Sequence, residues 1–143
     1  ILVNKLAIGT PLISKNDQLL LKEKKIISIL DLRNKFDISN IENEKQLDLY
    51  REFHTVNVCL PDHNSRRLAK TYEIENAVNT LEKLLLNGPV FMHCHAAVER
   101  SPLISTAFLV KTKKLYLLQA YEYVKQQNKT TNILVEQLKK IQF

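Results

Sequence analysis

The chain has 143 residues, 45% hydrophobic and 25% charged, with a formal net charge of +6. That length and balance fit one globular domain over 1–143 with a sizeable core, and exclude disordered or fibrous chains. No run approaches the roughly 18 apolar residues of a membrane span, so no transmembrane segment is expected.

The opening Ile1-Leu2-Val3 lacks an initiator methionine, as in a trimmed chain, and no signal-peptide order follows it. Leu6-Ala7-Ile8-Gly9 reads as an early strand ending in a turn. Asn16-Asp17 is expected to cap a short helix through Leu19, Leu20 and Leu21. Ile26 through Leu32 is β-branched and apolar enough for a buried strand. The polar stretch 33–45 reads as a loop, with a short helix over 43–50. Val56-Asn57-Val58-Cys59-Leu60 reads as a strand that ends at the Pro61 turn. Ile74, Ala77, Val78, Leu81, Leu84 and Leu85 recur at three-and-four spacing, which predicts a long helix. Gly88-Pro89 then turns the chain into the apolar run Val90-Phe91-Met92, a buried strand. Ser101 and Pro102 read as the N-cap and first residue of a helix carrying Leu103, Ile104, Ala107 and Phe108. Two further helical segments follow. Strands alternating with helices predict an α/β fold: a mostly parallel central sheet flanked by helices on both faces. Ligands in such sheets bind at the carboxyl ends of the strands.

Between the last strand and its helix lies His93-Cys94-His95-Ala96-Ala97-Val98-Glu99-Arg100-Ser101. A loop at a helix N-terminus presents free N–H groups and a dipole that attract an anion. The same field, with Arg100 beside it, favours the thiolate of Cys94 as a nucleophile. A planar guanidinium can pair with two phosphate oxygens at once, which a lysine cannot. Ser101 is placed to help the cysteine leave again.

This segment resembles the active-site loop of the cysteine-dependent protein tyrosine phosphatases, most closely the dual-specificity group, whose pattern is His-Cys-x-Ala-Gly-x-x-Arg-Ser. His93, Cys94, Ala96, Arg100 and Ser101 match it. The resemblance extends to Leu118 through Lys125, Asn132 and Glu136-Gln137-Leu138. It implies a phosphomonoester hydrolase acting through a phosphocysteine, with no cofactor and no metal. Backbone N–H groups from His95, Ala96, Ala97, Val98, Glu99 and Arg100 would line the phosphate site, with His93 supporting the loop. The family takes its general acid from an aspartate some thirty residues before the cysteine, and Asp62 stands 32 residues before Cys94. Asp31 and Asp37 lie too far upstream to rival it easily, and His63 could share the role. The implied partner is a phosphorylated protein or a phosphoinositide.

The chain departs from the pattern at Ala97, where glycine is usual. If that position needs a positive φ, alanine costs roughly 1–2 kcal/mol. Glu99 sets a carboxylate beside a dianionic ester unless it points outward or pairs. These two departures motivate a competing reading, a phosphate-binding module that has lost turnover. Some lipid phosphatases of the superfamily share the Asp-His-Asn tripeptide seen at Asp62-His63-Asn64, but Val98 replaces their second loop lysine. A metal site at His63, His93, Cys94 and His95 lacks ligand spacing. A sulfur-transfer enzyme would need no Asp62.

Two cysteines, Cys59 and Cys94, make no disulfide framework, and a nucleophilic thiolate suits a reducing compartment, cytoplasm by default. If Cys59 lay on the strand beside the loop strand, it could trap an oxidised Cys94; otherwise it reads as a small buried strand residue. The net positive charge favours an acidic substrate. The lysines are scattered with little aromatic interleaving, so no nucleic acid partner is expected. Arg66 and Arg67 read either as steering groups for a second acidic group or as an exposed helix start.

Overall fold

The computed structural model describes residues 5–35, 44–62 and 65–143; Ile1-Leu2-Val3, the 36–43 part of the polar loop with Asp37, and His63-Asn64 lie outside them. In chain order the elements are β1 (Leu6–Gly9), α1 (Lys15–Glu23), β2 (Ser28–Asp31), α2 (Glu44–Tyr50), β3 (His54–Asn57), α3 (Thr71–Leu85), β4 (Val90–His93), α4 (Arg100–Lys113), α5 (Leu117–Gln127) and α6 (Val135–Leu138). The four strands form one sheet in the order β1-β4-β2-β3, and every neighbouring pair is parallel.

Alternation along the strands divides the core. Ile29 and Phe91 face a smaller cluster with Leu12, Leu21, Ile26, Tyr50 and Phe53, on the side of α1 and α2. Leu30, Val90 and Met92 face the larger cluster, built mainly from α3, α4 and α5. Ile74, Ala77, Val78, Leu81 and Leu84 bury one stripe of α3, as their spacing predicts, with Leu85 at its edge. Helix α4 differs. Every residue from Arg100 to Leu109 is buried, so it is a central helix enclosed on all sides rather than an amphipathic one.

Three expected boundaries shift for local reasons. Ser14, not Asn16-Asp17, caps α1: its hydroxyl accepts the Asp17 N–H, while Asp17 Oδ2 accepts the N–H groups of Ile13 at 2.9 Å and Ser14 at 3.1 Å. Strand β3 begins at His54 and ends at Asn57, because the Asn57 side chain turns back and donates to the carbonyls of Asp31 at 2.8 Å and Arg33 at 2.9 Å. Helix α4 begins at Arg100, with Glu99 rather than Ser101 at its N-cap. Ser101 is thereby freed for a contact with the loop.

Register brings the strand ends to one edge: Asp31 pairs with His93 and with Asn57, and Gly9 with His93. The loop 94–99 leaves this edge, and Asp62 follows β3 on the same side. Strand β2 lies between β3 and β4, so Cys59 is not beside the loop strand, and it is exposed rather than buried. Neither expectation for Cys59 holds.

Candidate active site

Four positions in a row, the apolar Val90, Phe91 and Met92 and then His93, are buried in β4, and this central strand delivers Cys94 to the carboxyl edge of the sheet. Cys94 is itself 2% exposed. Its Sγ lies 3.3 Å from Ser101 Oγ, in the first turn of α4. The hydroxyl that would have capped the helix therefore meets the thiol instead. Arg100, 4% exposed, sends Nη1 to within 3.5 Å of the Leu32 carbonyl and holds Nη2 4.0 Å from Asp62 Oδ2.

The Asp62 carboxylate is kept there by a local turn. Ser65 Oγ donates to Asp62 Oδ1 at 3.1 Å and accepts the Asp62 N–H at 3.2 Å. Serine three residues after an aspartate is an ordinary turn signal, and it could have marked Ser65 in the sequence. Arg67 does not face this site: it makes a two-pronged pair with Glu73 at 2.7 and 3.0 Å. That hydrogen bond also holds the Glu73 carboxyl below its ordinary value. Arg67 thus serves the start of α3 rather than steering a substrate.

Beneath the loop, His93 is fully enclosed. A carbonyl can only accept, so Nδ1–H donates to the Cys94 carbonyl at 3.0 Å. Nε2 is left to accept from Tyr50 O–H at 3.3 Å, and the Tyr50 oxygen in turn takes the Leu12 N–H at 3.0 Å. Burial pushes His93 down to about 4, against the upward pull of Asp31, whose carboxylate lies 3.9 Å away. His93 is neutral at pH 7. The Asp31 carboxylate is taken instead by Arg33, through bonds of 3.0 and 2.8 Å in a pair that is almost wholly buried.

The crest of the loop has a different support. Ala97 adopts φ 57°, the left-handed conformation expected to be expensive for alanine, at roughly 1–2 kcal/mol. Its carbonyl accepts Asn128 Nδ2 at 2.6 Å and Thr130 Oγ1 at 3.2 Å. The next carbonyl, Val98, accepts the Asn132 N–H at 2.9 Å. Bonds of this kind contribute about 1 kcal/mol each, enough to offset the strain. Glu99 is half-buried, and its carbonyl takes the Leu103 N–H at 2.9 Å.

Sequence reasoning thus collected Cys94, Arg100, Ser101, Asp62 and His93 at one edge, with His95 and Ala96 exposed at the rim. It missed Asp31 and Arg33, Tyr50, Ser65, Asn128 and Thr130. His95 also lines a cavity of about 250 Å³ with Thr10, Pro11, Leu12, Ile13, Arg33 and Gln46. Among the described residues no group of three His, Cys, Asp or Glu side chains is arranged to hold a metal, and no helix is long and apolar enough to cross a membrane.

Comparison with known proteins agrees with this geometry. The family described as dual specificity phosphatase, catalytic domain, matches residues 12–142. Dual specificity protein phosphatase 5 of Rattus norvegicus is 54% identical over 39 residues, which is 27% of this chain and 10% of that protein. Dual specificity protein phosphatase 18 of Bos taurus is 26% identical over 114 residues, 79% of this chain and 55% of that protein. The matches therefore span from a tenth to about half of these relatives' lengths. Among solved structures, a human tyrosine phosphatase-like serine/threonine/tyrosine-interacting protein superposes with a TM-score of 0.79 at 18% identity, covering 99% of this chain and 91% of that one. PTPMT1 in complex with PI(5)P superposes with a TM-score of 0.78 at 13% identity, covering 98% and 89%. The chain belongs to the dual specificity phosphatase family of the protein tyrosine phosphatase superfamily.

Proposed function

We propose that this chain is a single metal-independent phosphomonoester hydrolase domain acting on phosphotyrosine proteins, and on phosphoserine and phosphothreonine as well, through a phosphocysteine intermediate. The observation that carries the reading is the 3.3 Å approach of Cys94 Sγ to Ser101 Oγ at the N-terminus of a buried helix. There the hydroxyl can hydrogen-bond the thiolate when it is released from phosphorus.

In the first step the Cys94 thiolate attacks phosphorus. The S–P bond forms, the ester P–O bond breaks, and Asp62 as the acid gives its proton to the departing oxygen. In the second step water attacks the same phosphorus and passes a proton to the Asp62 carboxylate. The S–P bond breaks, and the Ser101 hydroxyl hydrogen-bonds the departing thiolate. Arg100 clamps two equatorial oxygens, and the N–H groups of residues 95–100 hold the developing charge. The 4.0 Å separation of Arg100 Nη2 and Asp62 Oδ2 supports their acting on one phosphoryl group.

The test is hydrolysis of para-nitrophenyl phosphate in EDTA, comparing the parent with Cys94→Ser. Turnover that survives EDTA and is lost in the variant supports the reading. Absence of turnover in both, with tungstate still bound, replaces it by a phosphate-binding module. A phosphoinositide substrate is the second reading, prompted by the PI(5)P-bound neighbour. It stays second because position 98 offers a valine and no cation. A panel of phosphopeptides and inositol phospholipids separates the two.

A further inference from the structure

The hydrogen bonds at the crest of the loop have a consequence for oxyanion binding. A trans peptide is planar, so its C=O and the following N–H point in opposite directions. The Ala97 carbonyl is turned outward to Asn128 and Thr130, and the Val98 carbonyl outward to the Asn132 N–H. The N–H groups of Val98 and Glu99 are therefore turned the other way, away from the α5–α6 connection. If the 97–98 peptide rotated, a carbonyl dipole would replace an N–H donor on the side where an anion must bind. Ala97 holds a φ of 57°, unfavourable for any residue with a Cβ, and a return to negative φ would carry its carbonyl off Asn128 and Thr130 and reorient the peptide that follows.

The residues that oppose the rotation are themselves well anchored. Asn128 is the C-cap of α5, with its N–H bonded to the Val124 carbonyl at 2.8 Å. Ala120 and Val124 root that helix in the core. The Asn128 carbonyl accepts the Thr131 N–H at 3.0 Å, closing a turn around Thr130, whose hydroxyl lies 3.1 Å from Asn128 Oδ1. The amide that meets Ala97 is thus held by a helix 31 residues away in sequence.

The geometry points to Asn128 as a positioning residue: its amide, seconded by Thr130, locks the 97–98 peptide in the anion-binding orientation and makes an alanine workable at position 97. This rests on the phosphatase reading and deepens it. Asn128 touches no substrate and acts only through the backbone of the loop.

The experiment measures kcat and KM for para-nitrophenyl phosphate, tungstate affinity by calorimetry and the melting temperature. The four proteins are the parent, Asn128→Ala, Ala97→Gly and the double variant. Asn128→Leu, of similar volume but without a donor, repeats the arm should the alanine variant fold poorly. Asn128→Ala is expected to lower kcat and weaken tungstate by about tenfold or more, with KM and melting temperature changing far less. In the Ala97→Gly background the same replacement should cost no more than about threefold, because glycine adopts a positive φ without strain. Tungstate affinity and kcat within twofold of the parent in Asn128→Ala would overturn the proposal. An equal loss in both backgrounds would overturn it too, since Asn128 would then act by another route. A parent that neither hydrolyses the ester nor binds tungstate refutes the phosphatase reading itself, whatever the variants do.

Discussion

The two halves of the segment from His93 to Glu99 are held by different means. Its first half, His93 and Cys94, prolongs a fully buried central strand and rests on a network of buried polar groups: Tyr50 and Leu12 on one side, Asp31 and Arg33 on the other. Its second half, Ala97 to Glu99, leaves the sheet and is held from outside by Asn128, Thr130 and Asn132. The first half is anchored by burial, so damage there should appear in stability and its pH dependence. The second is anchored by a few surface-side hydrogen bonds, so damage there should appear in binding and rate. Arg100 and Asp62, 4.0 Å apart, belong to neither support and provide the reference against which both are measured.

Arg100→Lys gives the largest expected effect. It keeps the charge and loses the two-pronged grip, so kcat/KM should fall about 10³-fold, with weaker tungstate binding. Near-parental kinetics would refute the bidentate role. Asp62→Ala should slow hydrolysis of phenyl phosphate about 10²-fold, but that of an ester whose leaving group needs no proton much less. Equal losses on the two esters would assign the acid elsewhere.

The next two predictions concern the buried half alone. Asp31→Ala leaves the Arg33 guanidinium, 1% exposed, without its carboxylate, and should destabilise the fold by about 3–5 kcal/mol in denaturant titration. A loss below 1 kcal/mol would show that the pair is dispensable to the support. His93 gives a smaller effect on stability than Asp31, with a defined sign. Its folded value of about 4 lies below the ordinary histidine value of 6.5. Between these values the unfolded chain binds the extra proton, so the contribution is full above pH 6.5 and shrinks as pH falls towards 4. It amounts to about 3 kcal/mol over that window. His93→Gln should flatten the stability profile between pH 6.5 and 5, above the range where carboxylates dominate. An unchanged slope would place the titration on another group.

Much of this protein is decided by patterns local in the chain. The strand-loop-helix order around Cys94, the stripe of α3 and the position of Asp62 after β3 all follow from hydrophobic period and turn chemistry, which neighbours along the chain set by themselves. The cysteine, arginine and serine of the loop are likewise adjacent enough that one helix N-terminus brings them together. The exceptions share one physical cause. Ser101 looked like a cap, yet the helix begins one residue earlier and the hydroxyl turns to Cys94. Asp31 looked like a remote acid, but it is the buried partner of Arg33. Tyr50 reaches His93 across 43 residues, and Asn128 reaches Ala97 across 31. Buried polar groups must find partners wherever the packed chain supplies them. Residue type and local spacing can announce that a group needs a partner. Which partner it receives depends on strand order and helix packing, and only the tertiary structure sets those.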